Sequence, residues 1–421
     1  MHLARHSPGN PAVLPTASPP ASEEEHLNFI DWIRFFGFVV VVYCHGIDWV
    51  RWTSTDPTED FSGLWFKYRT YLQMLSTFFF ISSFPMVSAR RLTYKKLVKR
   101  TVSLGLFFLL GIATVTPMFL IRGQLNIYHL WFLGVLMLLT LLSYGAFRLS
   151  FYRTRVDYLY VAVAGAVYFG MGMLFQFLPY WSPIRLGALA PSVCYVLFCL
   201  RKHLPWPLMV ACIFMSDVLA AVGCAPFPSD IDAHTFGYFL AAPLLSHSHL
   251  FWAGFYCREF MGWVHAHPAH KTFIGACAGL FVIIPSLPFR TTNFFFGAGV
   301  PAYTHKIDGF GAAGEAVDIG ATAVLVCSRW AYNLIWFLAG PVLDGLRTPE
   351  FLGFAGIFIY LFHPLFIWMI SNLVRSALSP EIRLLLYWVV GLGGSAGVAW
   401  LAMQLRRRPR PKVAASDPYH V

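Results

Sequence analysis

The run Phe29-Ile-Asp31-Trp-Ile-Arg34-Phe-Phe-Gly-Phe-Val-Val-Val-Val-Tyr-Cys-His45-Gly46 decides the class of this chain. From Phe35 to Cys44 it carries no charge and leaves no polar face in a helix. A helix that is apolar all round belongs in a packed core or in a membrane. In hydrocarbon every backbone polar group must be satisfied internally, which an α-helix achieves within one segment. Barrel strands are the other solution, but they are shorter and alternate in polarity. The run does neither, so it predicts a spanning helix.

Similar blocks recur to the end of the chain. Apolar stretches of roughly 17 to 25 residues read as spans. They fall at about Phe29–Val50, Tyr71–Ser88, Val98–Ile121, Tyr128–Leu149, Val156–Phe177, Ile184–Leu200, Pro207–Cys224, Phe236–Cys257, Thr272–Leu287, Gly320–Leu343, Phe351–Val374 and Arg383–Met403. The sixth, seventh and ninth of these twelve are short or interrupted by Gly and Pro, which sets the range at ten to twelve. The expected fold class is all-α, a polytopic integral membrane helical bundle. Residues 1–27, rich in Pro, Ala, Ser and Glu, read as a disordered tail without the apolar run of a cleavable signal. Residues 28–404 form the transmembrane domain and 405–421 a basic tail. Of 421 residues, 57% are hydrophobic and 12% charged. A soluble domain carries about 25% charged residues, so too few polar residues remain to cover a water-soluble fold of this size.

The formal charge of +11 does not point to nucleic acid, because the basic residues cluster in connectors and at the C-terminus. After the second span stand Arg90, Arg91, Lys95, Lys96, Lys99 and Arg100, and after the fourth Arg148, Arg153 and Arg155. Arg201 and Lys202 follow the sixth, Arg258 and Lys271 the eighth, and Arg406, Arg407, Arg408, Arg410 and Lys412 the last. With twelve spans these all lie on one side. The positive-inside rule makes that side cytoplasmic, with both termini inside. The longest opposite connector, about Pro288 to Asp318, is aromatic and Gly-rich. A loop of that length either covers a site or simply connects. The eight cysteines show no metal-ligand spacing and fall mostly in apolar blocks, where a free thiol packs as a small hydrophobe.

Two residues of the first span carry chemistry at hydrocarbon depth. Arg34 and His45 are eleven positions apart, close to three turns, hence on one face about 16 Å apart along the axis. A charged side chain within a span costs about 2.5–3.5 kcal/mol on insertion scales and marks a functional candidate. Asp31, three residues before Arg34, is placed to partner it. The competing reading makes Arg34 and Asp31 an interfacial anchor pair and His45 a satisfied core histidine. His247 and His249, and His265, His267 and His270, are spaced as metal ligands. No cysteine or carboxylate set accompanies them, so capping and solvated loop roles are preferred. Asp217, in the seventh span, is a candidate buried acid without an assigned role. The cations of the second connector either set topology, touch anionic lipid or bind a phosphate. Trp131 is either an interfacial anchor or a substrate platform.

The run from Ile30 to Arg34, followed after ten residues by His45-Gly46, resembles the first-helix signature of the membrane acyltransferase-three family. Further pieces follow in that family's order. Phe78-Phe-Phe-Ile-Ser-Ser83 is similar to its second-span pattern, with Ser83 where Gly is usual. Lys96-Leu-Val-Lys99-Arg100 resembles the basic opening of its third span, and His129-Leu-Trp131-Phe-Leu133 that of its fourth. Phe358-Ile-Tyr360-Leu-Phe-His363-Pro364 resembles its late Tyr-to-His motif. Two arginines three apart are common at the start of the third span, but here Ser103 stands three residues after Arg100, and Lys96 and Lys99 keep that spacing one turn earlier. The resemblance covers about Asn28 to Met403, and the branch that includes the glucans biosynthesis protein C is nearest.

The resemblance implies a membrane-bound O-acyltransferase. It would move an acyl group, acetyl or succinyl, from cytoplasmic acyl-coenzyme A to a hydroxyl of a carbohydrate or lipid-linked glycan at the outer face. It implies His45 as the catalytic residue with Arg34 assisting; Asp31, by its spacing the partner of Arg34, is counted with them. Lys96, Lys99 and Arg100 would hold the coenzyme phosphates, and Trp131, Tyr360 and His363 would face the substrate. Acyl-CoA is then a co-substrate, no cofactor or metal is permanently resident, and the partners are the glycan acceptor and membrane lipid. The alternative is a multispan transporter or flippase of a lipid-linked sugar or small anion, which has no particular need of the His45 and Tyr360-to-His363 motifs.

Overall fold

A computed structural model of the protein describes residues 28–53, 76–83, 92–122, 130–174, 176, 183–224, 236–283, 326–340, 343, 346, 349–374 and 378–407. The terminal tails, the connector from Pro288 to Asp318 and His129 lie outside these residues. The described residues are helical but for short turns and connectors, and hold no strand. The helices are α1 (Asn28–Thr53), α2 (76–83), α3 (Tyr94–Arg122), α4 (Trp131–Arg148), α5 (Arg155–Leu174), α6 (Ala190–Cys199) and α7 (Trp206–Cys224). They continue as α8 (Phe236–Ala253), α9 (Cys257–Ala266), α10 (Pro268–Ile283), α11 (326–340), α12 (Glu350–Val374) and α13 (Pro380–Arg407). Among the described residues five helices, α1, α3, α5, α12 and α13, are long and apolar enough to cross a membrane. The chain is therefore an all-α membrane protein.

Glycine and proline explain where helices depart from the expected spans. The sixth span begins as a 3-10 segment, Pro183–Leu189, and becomes α-helical only at Ala190, with Pro191 in its first turn. Pro is tolerated there because its missing N–H has no intrahelical acceptor. The eighth span tightens into a 3-10 turn at Gly254–Tyr256. A Cβ on Gly254 would collide with the Phe80 carbonyl and the Ser83 hydroxyl, so only glycine allows this crossing against α2. The expected ninth span corresponds to α10, which begins at Pro268, four residues before the expected Thr272.

Helices α1, α12 and α13 pack against one another as a trio. Asp31 lies against Gly353, Phe38 against Gly356 and Tyr360, and His45 against His363. Residue numbers rise together along this seam, so α1 and α12 run parallel. Only residues 375–379 separate α12 from α13, and the two pack as an antiparallel hairpin. The Asn28 end of α1 and the Arg407 end of α13 therefore lie at the same end of the bundle. Gly46 lets α13 close in, since a Cβ there would stand 3.1 Å from Leu384 and 3.7 Å from Tyr387.

Two basic connectors prove to be structural clasps. The Arg148 guanidinium donates to Asp157 at 2.6 Å and to the Leu92 carbonyl, and lies over the rings of Tyr94 and Tyr152. Asp157 also accepts from Tyr94 at 2.8 Å and from the Thr154 hydroxyl at 2.7 Å. Arg201 donates to the carbonyls of Phe198 at 2.7 Å and Ala146 at 2.9 Å. Arg201 thus bonds carbonyls at the C-terminal ends of α6 and α4, where the helix dipole favours positive charge, whereas Arg148 is held by the Asp157 carboxylate.

Candidate functional site

The site is built on the parallel seam between α1 and α12. His45 Nδ1 stands 2.5 Å from His363 Nε2, with ring centroids 4.8 Å apart and the rings 29° from coplanar. His363 Nδ1 lies 2.8 Å from the Ile359 carbonyl, one turn earlier in α12. A carbonyl only accepts, so His363 Nδ1 carries a proton and, in the neutral ring, Nε2 is the acceptor. His45 Nδ1–H is then the donor across the seam, which puts the lone pair of His45 on Nε2. His363 is fully buried, whereas His45 is only partly so. The accessible histidine is therefore held in one tautomer by the inaccessible one. Tyr360 is buried beside them, its ring 6.0 Å from Phe38, 5.7 Å from Phe132 and 6.5 Å from His363.

Cations gather at the other end of α1. Arg34 donates to Asp31 at 3.4 Å, and Asp31 is buried where Gly353 leaves room: a Cβ there would stand 3.0 Å from its Oδ2. Arg100 on α3 donates to the Ser82 carbonyl of α2 at 3.0 Å and stands near enough to Arg34 for the two to repel. Two guanidinium groups thus stand near one another, one on the Asp31 carboxylate and the other on the Ser82 carbonyl. Such an arrangement attracts an anion, because like charges repel strongly at low dielectric. Lys96 and Lys99 are exposed at the start of α3. Trp131 opens α4; its side chain lies outside the described residues.

Comparison with protein-family models, with curated proteins and with solved structures found no match.

A second buried cluster joins α7, α8 and α11. Arg329 grips Asp217 with contacts of 2.6 and 2.7 Å, and the Trp330 indole N–H donates to the same carboxylate at 2.6 Å. His249 stands 3.4 Å from Asp217 and 2.7 Å from the Ser216 hydroxyl. The order Ser, His, Asp is that of an activated nucleophile. Here, however, the carboxylate is committed to Arg329 and Trp330, and the cluster is a buried lock between helices. His247 points elsewhere and stacks on Phe79 at 4.5 Å. His267 and His270 pack near Trp263 at 5.0 and 5.7 Å. The described residues hold no group of three or more candidate metal ligands. Sequence reading missed the role of Arg329. The signal was a lone charge in the tenth span; its partner, 112 positions away, could not be identified from spacing.

Proposed function

We propose that the protein is a membrane-bound O-acyltransferase of the acyltransferase-three type. It transfers acetyl or succinyl from cytoplasmic acyl-coenzyme A to a hydroxyl of a carbohydrate or lipid-linked glycan at the outer face. The observation that carries this reading is the coupled pair His45 and His363, in which the accessible ring has its lone pair on Nε2. A positioned neutral imidazole of this kind is suited to general-base work near pH 7. The acceptor O–H gives its proton to His45 Nε2 as its oxygen attacks the thioester carbonyl. The C–S bond then breaks, and the departing thiolate takes the proton back from the imidazolium. His363 is a positioning residue: its bond from His45 Nδ1–H strengthens as His45 becomes charged.

Arg34 and Arg100 supply the donor end. Arg34 lies about 16 Å along α1 from His45, a depth that an extended pantetheine arm covers. Guanidinium groups pair well with phosphate oxygens, and an anion between Arg34 and Arg100 relieves their repulsion. The test follows free thiol released from labelled acetyl- and succinyl-coenzyme A by purified protein in native lipid extract. Positioned general-base catalysis contributes roughly 10²- to 10⁴-fold. His45→Ala is expected to lose at least about a hundredfold in kcat while still binding the donor. Near-normal turnover in that variant overturns the mechanism and favours a transporter or flippase of a lipid-linked sugar or anion.

A further inference from the structure

A cleft of about 690 Å3 opens between α5 and α6, away from the histidine seam in sequence and in lining. Tyr195 is buried in its floor, fixed by a hydrogen bond from its hydroxyl to the Leu142 carbonyl at 2.9 Å. Gly165 keeps it deep: a Cβ there would already stand 3.8 Å from the Tyr195 ring, and a larger side chain would fill the space. Along α5 the wall runs from Tyr158 to Phe169, eleven residues or about 16 Å. That is half of a hydrocarbon core of about 30 Å. Val193 and Val196 on the opposite wall are exposed, as apolar side chains facing lipid are.

The mouth of this apolar cleft is cationic. Arg153, Lys202 and His203 stand there, contributed by the two connectors that Arg201 clasps together. They differ from their neighbours in use. Arg148 and Arg201 are buried and bonded to backbone or to Asp157, whereas Arg153, Lys202 and His203 are exposed. Asp157, the acid in the first turn of α5, is engaged by Arg148. The result is a positive mouth over an apolar slot one leaflet deep.

We propose that this cleft binds an anionic phospholipid, with an acyl chain between α5 and α6 and the headgroup phosphate on Arg153 and Lys202. Charge complementarity selects the headgroup, and the depth of the slot matches the chain. A basic pocket between membrane helices is a recurrent way to hold such a headgroup. The lipid would tie α5 to α6 on the membrane side, where apolar side chains alone gain nothing from burial against one another.

The test titrates purified full-length protein in neutral detergent with phosphatidylglycerol or phosphatidylcholine and counts bound lipid by native mass spectrometry. One phosphatidylglycerol is expected to be retained at least about tenfold more tightly than phosphatidylcholine. The double variant Arg153→Gln/Lys202→Gln, on exposed positions that leave the fold intact, should weaken it by about thirtyfold, the equivalent of roughly 1 kcal/mol per cation near a membrane surface. Arg155→Gln, exposed nearby but outside the cleft, should leave binding nearly unchanged. Equal retention of the two lipids, indifference to the double variant, or an equal loss in Arg155→Gln overturns the proposal. Tighter binding of palmitoyl-coenzyme A than of phosphatidylglycerol also overturns it and assigns the slot to a donor chain.

Discussion

His363 touches His45 through one acceptor atom, and the chemistry of that atom can be replaced. His363→Gln offers a carbonyl oxygen that can accept the His45 Nδ1–H bond; His363→Leu offers none. The expected outcome is that Gln retains about tenfold more kcat than Leu, the equivalent of roughly 1.4 kcal/mol, with the KM for acyl-coenzyme A alike in both. Equal kcat in the two variants would make His363 a packing residue only. At this scale the sequence was legible where partners are local. Asp31 and Arg34 are three positions apart and pair as their spacing predicts. His45 and His363 are 318 positions apart. Each stood out as an imidazole in an apolar span, but no spacing rule joins residues on different helices.

Helices α7, α8 and α11 are held by a charge pair rather than by shape alone. Asp217 and Arg329 are buried, and removing one partner leaves the other uncompensated at low dielectric. Asp217→Ala is therefore expected to lose about 3–5 kcal/mol of stability, seen as a large fall in the thermal midpoint in detergent. The double replacement Asp217→Leu/Arg329→Met removes both charges and should recover most of that loss. A double variant as unstable as Asp217→Ala would show that shape, not charge, dominates there. Helix positions were legible because hydrocarbon demands long uncharged runs. Helix ends were less so. The 3-10 start at Pro183 and the turn at Gly254 depend on neighbouring backbone, which no local pattern reports.

Across the whole molecule, α1 runs parallel to α12 and antiparallel to α13, so both ends of the helical region face the same way. The basic connectors predict that this side is cytoplasmic. Protease-sensitive tags on the two termini should be cut together in inside-out vesicles and together protected in right-side-out ones. Cleavage of one tag without the other would contradict the topology. The even parity of the bundle could be inferred from alternating charge alone. What charge could not show is that Arg148 and Arg201 are buried clasps while Arg153 and Lys202 remain exposed. All four are the same type of signal in sequence, and only burial separates them.

His45 and His363 are proposed to act as one unit in thioester turnover. A double-mutant cycle on thioester turnover, with His45→Ala, His363→Ala and the double variant, tests it most directly, since residues acting as a unit are strongly non-additive. The double variant is expected to be no slower than His45→Ala alone, because His363 acts through His45. Losses that multiply, or a full turnover in either single variant, would contradict it.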